Sequence, residues 1–167
     1  MLTPSQKGSI AESAIVAAAI KLGIPVFKPV NEGLRYDLIF ELEGKFVRVQ
    51  CKWIARRGDA MVVPCISRRR CADGFVSRPY TSNEIDAFAA YCADIDRCYW
   101  IPLSCFPSHR AIQLRLKATR NNQKAGINWA EEYEFAATIG APGAVAQLGE
   151  RADGIREVRG SIPLGST

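Results

Sequence analysis

The stretch RYDLIFELEGKFVRVQCKWI, residues 35–54, limits the fold more than any other. Two apolar runs flank Glu43-Gly44, which predicts an antiparallel hairpin turning at that dipeptide. Along the second arm the side chains alternate, so Val47, Val49, Cys51 and Trp53 share one face and Arg48, Gln50 and Lys52 the other. The first face must be covered by a core. The second carries an amide between two cations, which points to a partner other than a core.

The rest of the chain supplies that core. SQKGSIAESAIVAAAIKLG predicts a helix over 6–22, with Ser5 as its cap and Gly23 as its stop. Glu12 lies on the same side of this helix as Val16 and Ala19, where a carboxylate needs a partner. IPVFKP reads as a short strand and AMVVPCI as a further strand, 60–66, that enters a basic loop, SRRRCADG. EIDAFAAYCADIDRCYWIPLS has the alanine content of a helix, but CYWIPL is strand-like and ADID makes a turn. The hairpin reading, 86–92 with 97–103, is preferred, with Asp86 and Asp96 shaping it. AIQLRLKA reads as a strand and NWAEEYEFAA as a last short helix capped by Asn128.

These elements give one domain over 1–137, and 138–167 read as a flexible C-terminal tail. Residues 140–167 hold six of the 13 glycines, two prolines and no aromatic residue, too little apolar surface to join a core. The segments AVAQLGER and GSIPLGST look like a conceptual translation of a transfer RNA gene, which implies a tail never selected for chemistry. No run of apolar residues reaches membrane-spanning length, so a cytoplasmic protein with no membrane partner is expected. The six cysteines lack the close spacing of a zinc knuckle and read as reduced residues of strands and core.

Charge narrows the partner. The chain carries a formal +5, but residues 44–78 alone hold nine Lys or Arg against Asp59 and Asp73, and 110–125 hold five with no acid. Two basic islands on a small domain suit a polyanion, because a row of phosphates returns Coulomb energy and released counterions together. Arg48, Arg56, Arg57, Arg68, Arg69, Arg70, Arg115, Lys117, Arg120 and Lys124 are therefore the candidate contacts to such a polyanion. Arg68, Arg69 and Arg70 read as phosphate contacts or as solvated loop.

Asp37 starts the first arm of the hairpin, across from Gln50 and Lys52, and Glu12 adds a second carboxylate from the helix. Two carboxylates and an amide oxygen suit a hard divalent cation, magnesium above all, with manganese as a substitute. A lysine beside them can orient or deprotonate an attacking water and neutralise charge growing on a phosphate. Each residue also has a plainer reading: Glu12 in an ion pair at the helix edge, Asp37 as a turn acceptor, Lys52 as an edge-strand lysine.

Asp37 followed by Gln50-Cys51-Lys52 at the end of an apolar strand resembles the PD-(D/E)XK nuclease signature, with glutamine in place of the second acid and Tyr36 in place of the proline. With Glu12 and the blocks EIDAFAAYCADIDRCYWIPLS and LRLKATRNNQKAGINWAEEYEF, the likeness is to the group I intron-associated homing endonucleases of that superfamily and spans about residues 6–136. The resemblance implies an α/β (α+β) fold of restriction-endonuclease type, a central mixed sheet flanked by helices, and magnesium-dependent cleavage of duplex DNA. Asp37 would be the principal metal ligand, with Glu12 and Gln50 completing the set and Lys52 serving the nucleophile. A double-strand cut needs two such sites, so a homo-oligomer, dimer or tetramer, is expected. A structure-selective nuclease of the junction-resolvase type and an inactive DNA-binding protein of the same fold are the competing readings.

Overall fold

The computed structural model describes residues 1–118 and 125–140. Helix α1, Pro4–Lys21, starts two residues before the expected position because Thr3, not Ser5, is its cap: Thr3 Oγ1 accepts the Gln6 N–H (3.2 Å) and Gln6 Oε1 accepts the Thr3 N–H (2.9 Å). Its buried stripe is Ala11, Ile15 and Ala19, one helical face, and Glu12 sits at the rim of that stripe.

Among the described residues a five-stranded mixed sheet is built in the order β1-β2-β3-β8-β9, with β1 Val26–Phe27, β2 Leu38–Leu42, β3 Lys45–Ile54, β8 Ala87–Cys92 and β9 Arg97–Pro102. The hairpin expected around Glu43-Gly44 is present, both turn residues having positive φ (50° and 74°), the geometry that matches strand twist in a two-residue loop. The second expected hairpin forms as β8 and β9, which excludes the helical reading of that stretch. β3 and β8 pair in parallel at the centre, and their register sets Gln50 beside Phe88 and Lys52 beside Ala90.

One face of this sheet packs on α1 and on α2, Phe135–Ile139, through Ile15, Phe40, Val49, Ala89 and Trp100. The other face packs on a second sheet, β11-β10-β5-β4, formed by Asn128–Trp129, Ala111–Arg115, Ala60–Pro64 and Arg56–Arg57. Phe88, Ile101, Met61, Val63, Ile112 and Leu114 fill that space. The architecture is thus α+β, a central mixed sheet flanked by helices, with a smaller sheet on the face that Gln50 and Lys52 share.

Two expectations change. SRRRCADG is not a loop: β6, Ile66–Cys71, and β7, Gly74–Pro79, pair as a separate two-stranded ribbon. Its backbone pairing is set by a tight turn at Ala72-Asp73 and not by an apolar face, so hydrophobic alternation could not reveal it. NWAEEYEFAA is not one helix capped by Asn128. Asn128–Trp129 pair with β10, Ala130–Tyr133 make a 3-10 turn, and Glu134, held extended against Tyr99, separates that turn from α2.

Helix α2 carries buried Thr138 and Ile139 past the boundary drawn at 137, so at least these residues belong with the core. Residues 141–167, the remainder of the expected tail, lie outside the described residues. Phe135 anchors α2 by packing edge-on to Phe40 (6.1 Å between centroids) and Trp100 (6.0 Å). Phe135→Ala is expected to cost about 3–5 kcal/mol in urea unfolding; a loss below about 1 kcal/mol would show that α2 is not part of the cooperative unit.

Candidate active site

The site forms where a strand runs past its neighbour. β2 begins at Leu38, opposite Val49, so β3 continues beyond it with the Cys51 N–H and C=O on an unpaired edge. An orphan backbone donor inside a sheet needs an acceptor. Asp37 provides it: its N–H donates to the Val49 carbonyl (2.9 Å), and its Oδ2 accepts the Cys51 N–H (2.8 Å) and the Gln50 side-chain amide. The Gln50 amide also donates to the Cys51 carbonyl (3.2 Å), which brings that oxygen to the same corner.

Burial pushes the Asp37 carboxyl above the usual carboxylate range; the Cys51 N–H opposes that shift, and the negative charge of Glu12 adds to it. Two acids near each other in a partly buried corner favour a cation. Lys28 meets part of that need: its Nζ donates to Glu12 Oε2 (2.8 Å), and this hydrogen bond raises the Lys28 pKa, with Asp37 adding a smaller attraction. Glu12, Lys28 and Leu38 line a shared hollow of about 350 Å³.

Lys52 projects from β3 on the same face as Gln50 and is mostly buried. Its Nζ donates to the Tyr80 hydroxyl (3.2 Å) and lies 4.7 Å from the Tyr80 ring centre. Desolvation is the main cause that brings its pKa down to about 8, with Asp37 pulling the other way. An amine poised near neutrality beside an acid corner is equipped to take a proton.

As a metal site the corner offers hard oxygen donors only: the Asp37 and Glu12 carboxylates, the Gln50 amide oxygen once that group turns over, and the Cys51 carbonyl. This donor chemistry fits magnesium or manganese and suits zinc poorly. Among the described residues no group of three or more His, Cys, Asp and Glu side chains is placed to hold an ion. Any ion here would therefore depend on the amide and the backbone.

The structure sets Asp37, Gln50 and Lys52 together and puts Glu12 within their electrostatic reach. It does not free every candidate DNA contact. Arg48 is a strut: Asp86 takes its Nε (3.1 Å) and Nη2 (2.9 Å), and the Ser82 and Asn83 carbonyls take the rest. Arg56 donates to the Gly58 carbonyl (2.6 Å), and its backbone N–H to Asp94 (2.6 Å). Arg56, Arg115 and Lys117 line a cavity of about 740 Å³ that also holds Glu131 and Glu134 and contains none of the acid-corner residues. Arg57, Arg68 and Arg70 are exposed. Arg69 lies opposite Val76 in the ribbon, and Arg120 and Lys124 lie outside the described residues.

Lys28, Tyr80 and the Cys51 carbonyl went unread in the sequence. Lys28 and Tyr80 reach the site from 16 and 28 residues away along the chain. Only the lysine in IPVFKP, at the end of a strand beside the hairpin, carried a signal.

A family model described as PD-(D/E)XK endonuclease matches residues 2–136. A search of curated proteins returned no match. Among solved structures, that of a bacterial homing endonuclease, I-Ssp6803I, is similar to this chain at 27% identity and a TM-score of 0.67, covering 87% of this chain and 98% of that one.

Proposed function

Because the chain belongs to the PD-(D/E)XK endonuclease family, we propose that it is a magnesium-dependent endonuclease that hydrolyses phosphodiester bonds of duplex DNA at specific sites. The observation that carries this reading is the Asp37 corner: a carboxylate fixed by the Cys51 N–H and the Gln50 amide, beside the partly buried amine of Lys52. The likeness to a homing endonuclease supports site-specific cutting.

Asp37, Gln50 and the Cys51 carbonyl would hold the ion, with Glu12 joining them when Lys28 lets go. When bound, magnesium supplies Lewis acidity toward the phosphate and lowers the pKa of water. Lys52, as the neutral amine, accepts a proton from the attacking water while its oxygen forms a bond to phosphorus. The bond from phosphorus to the leaving ribose oxygen breaks, and solvent protonates that oxygen. Tyr80 keeps the Lys52 amine turned toward the corner. The amide at position 50 leaves the site one negative charge short of a three-acid set, which predicts weaker ion binding but not its loss. One acid corner per chain cuts one strand, so two copies related by a two-fold axis would cut both.

Linear, nicked and four-way DNA, each offered with magnesium, test this reading. Cuts on linear duplex that depend on sequence are expected. Cuts that follow branching regardless of sequence would replace it with a structure-selective nuclease, and retention of DNA without cleavage would replace it with a binding protein.

A further inference from the structure

The β6–β7 ribbon buries almost nothing. From Arg68 onward every described side chain in it is exposed, including Phe75 (73%) and Val76 (57%). An isolated two-stranded ribbon is marginal in water, and exposed aromatic surface at its tip adds a cost with no return inside the chain.

Its register sorts the side chains. Arg68 pairs with Ser77 and Arg70 with Phe75, so these four share one face. On that face Arg68 and Arg70 make no hydrogen bond or ion pair with the described residues. Arg35, Arg48, Arg78 and Arg97, by contrast, are each held by an acid. The other face is fastened at its root: Arg35 donates to Ser67 Oγ (2.6 Å) and to the Pro79 carbonyl (2.9 Å), and Arg78 pairs with Glu84. Arg35 also lies 4.0 Å from the centre of the Tyr80 ring, whose hydroxyl holds Lys52. The ribbon is thus fixed at its base to the catalytic lysine's own support and free along one face.

We propose that this ribbon enters the major groove of duplex DNA and reads base edges with Arg68, Arg70 and Phe75, an inference that rests on duplex DNA being the substrate. The dimensions agree. Six residues per strand extend about 20 Å, and two strands about 5 Å apart fit a groove about 12 Å wide. Arg68 and Arg70, two residues apart, are separated by about 7 Å, close to the rise of two base pairs. An arginine fork matches the two acceptors of guanine, and an aromatic ring matches the methyl group of thymine. A ribbon that only tracked phosphates would have no use for Phe75.

The test is selection of preferred sequences by the full chain from duplexes randomised at their centre, with calcium in place of magnesium, for the parent, Arg70→Ala and Phe75→Ala. Unchanged circular dichroism serves as the folding control. The expected result is that each variant loses discrimination about tenfold or more at a short contiguous part of the parental site and keeps it elsewhere. Uniform weakening with the parental preference intact, and a salt slope shallower by about 0.9 for Arg70→Ala, would overturn the inference and make the ribbon a phosphate clamp. Unchanged selection would overturn it as well. A parent that retains no duplex would overturn this inference and the duplex reading together, the one outcome that touches both.

Discussion

Lys52→Met is expected to abolish cleavage while making the folded chain more stable. The amine sits against Tyr80 and Phe88 in a position that desolvates it, and its pKa falls from 10.5 to about 8. At neutral pH the group is still mostly an ammonium, so the fold carries a buried charge at a cost on the order of 1–3 kcal/mol. Methionine keeps the aliphatic stem and removes the charge. Cleavage should drop about 10²- to 10⁴-fold, the usual contribution of a positioned general base, while the thermal midpoint at pH 7 rises. A variant that cuts at the parental rate would remove Lys52 from the chemistry, and one that loses stability would show that the ammonium is held by attraction.

The pH dependence follows with a defined sign. Folding lowers the pKa of Lys52, so the unfolded chain binds more protons between about pH 8 and 10.5. The parent should therefore gain stability as pH rises through that window, and Lys52→Met should lose that gain. Activity moves on the same group. The neutral amine is the base, so the cleavage rate should climb with pH and level off at or below about 8, because a bound cation would lower the pKa further. Lys52→Arg, which keeps the charge but cannot accept a proton, should cut no better than Lys52→Met. If arginine restores cleavage, Lys52 acts as a fixed charge and the pH profile has another origin.

The acid corner was legible because its main parts obey a period of two and a short turn. Alternation put Gln50 and Lys52 on one face, and the Glu43-Gly44 turn fixed the register that sets Asp37 against them. Lys28, Tyr80 and Arg35 belong to contacts across a fold that no local pattern encodes. The ribbon escaped for a different reason: RRR looks like solvated loop, and only its backbone pairing with GFVSRP makes it a strand. Alternation put Arg48 on the polar face but says nothing of Asp86, which arrives with β8 and closes on its guanidinium. The helix expected over 128–137 failed because Tyr133 and Phe135 are buried in different core clusters, which an extended Glu134 between them permits.

Asp37→Asn and Gln50→Glu should move ion binding in opposite directions, and the thermal midpoint reads both without any cleavage. Asp37 is held above the usual carboxylate range by burial, so its negative charge at neutral pH strains the metal-free chain, and Glu12 adds to that strain. Asparagine keeps an oxygen for the Cys51 N–H and removes the charge. Metal-free Asp37→Asn should be at least as stable as the parent, yet gain little from added magnesium, because an ion stabilises only the state that binds it, as RT ln(1 + [Mg²⁺]/Kd). Residual cleavage should demand magnesium about tenfold or more above the parental requirement. Gln50→Glu places a second carboxylate on Asp37 in the space where the amide now donates to it. Without metal the two acids repel, so this variant should melt below the parent and hold its shared proton to higher pH. With magnesium it should recover and pass the parent, since two carboxylates bind a hard cation better than one and an amide. The three midpoints in rising magnesium therefore separate the roles: the weakest response in Asp37→Asn, a moderate one in the parent and the steepest in Gln50→Glu. Parallel curves for all three would mean that the ion, if it is used at all, does not bind at Asp37.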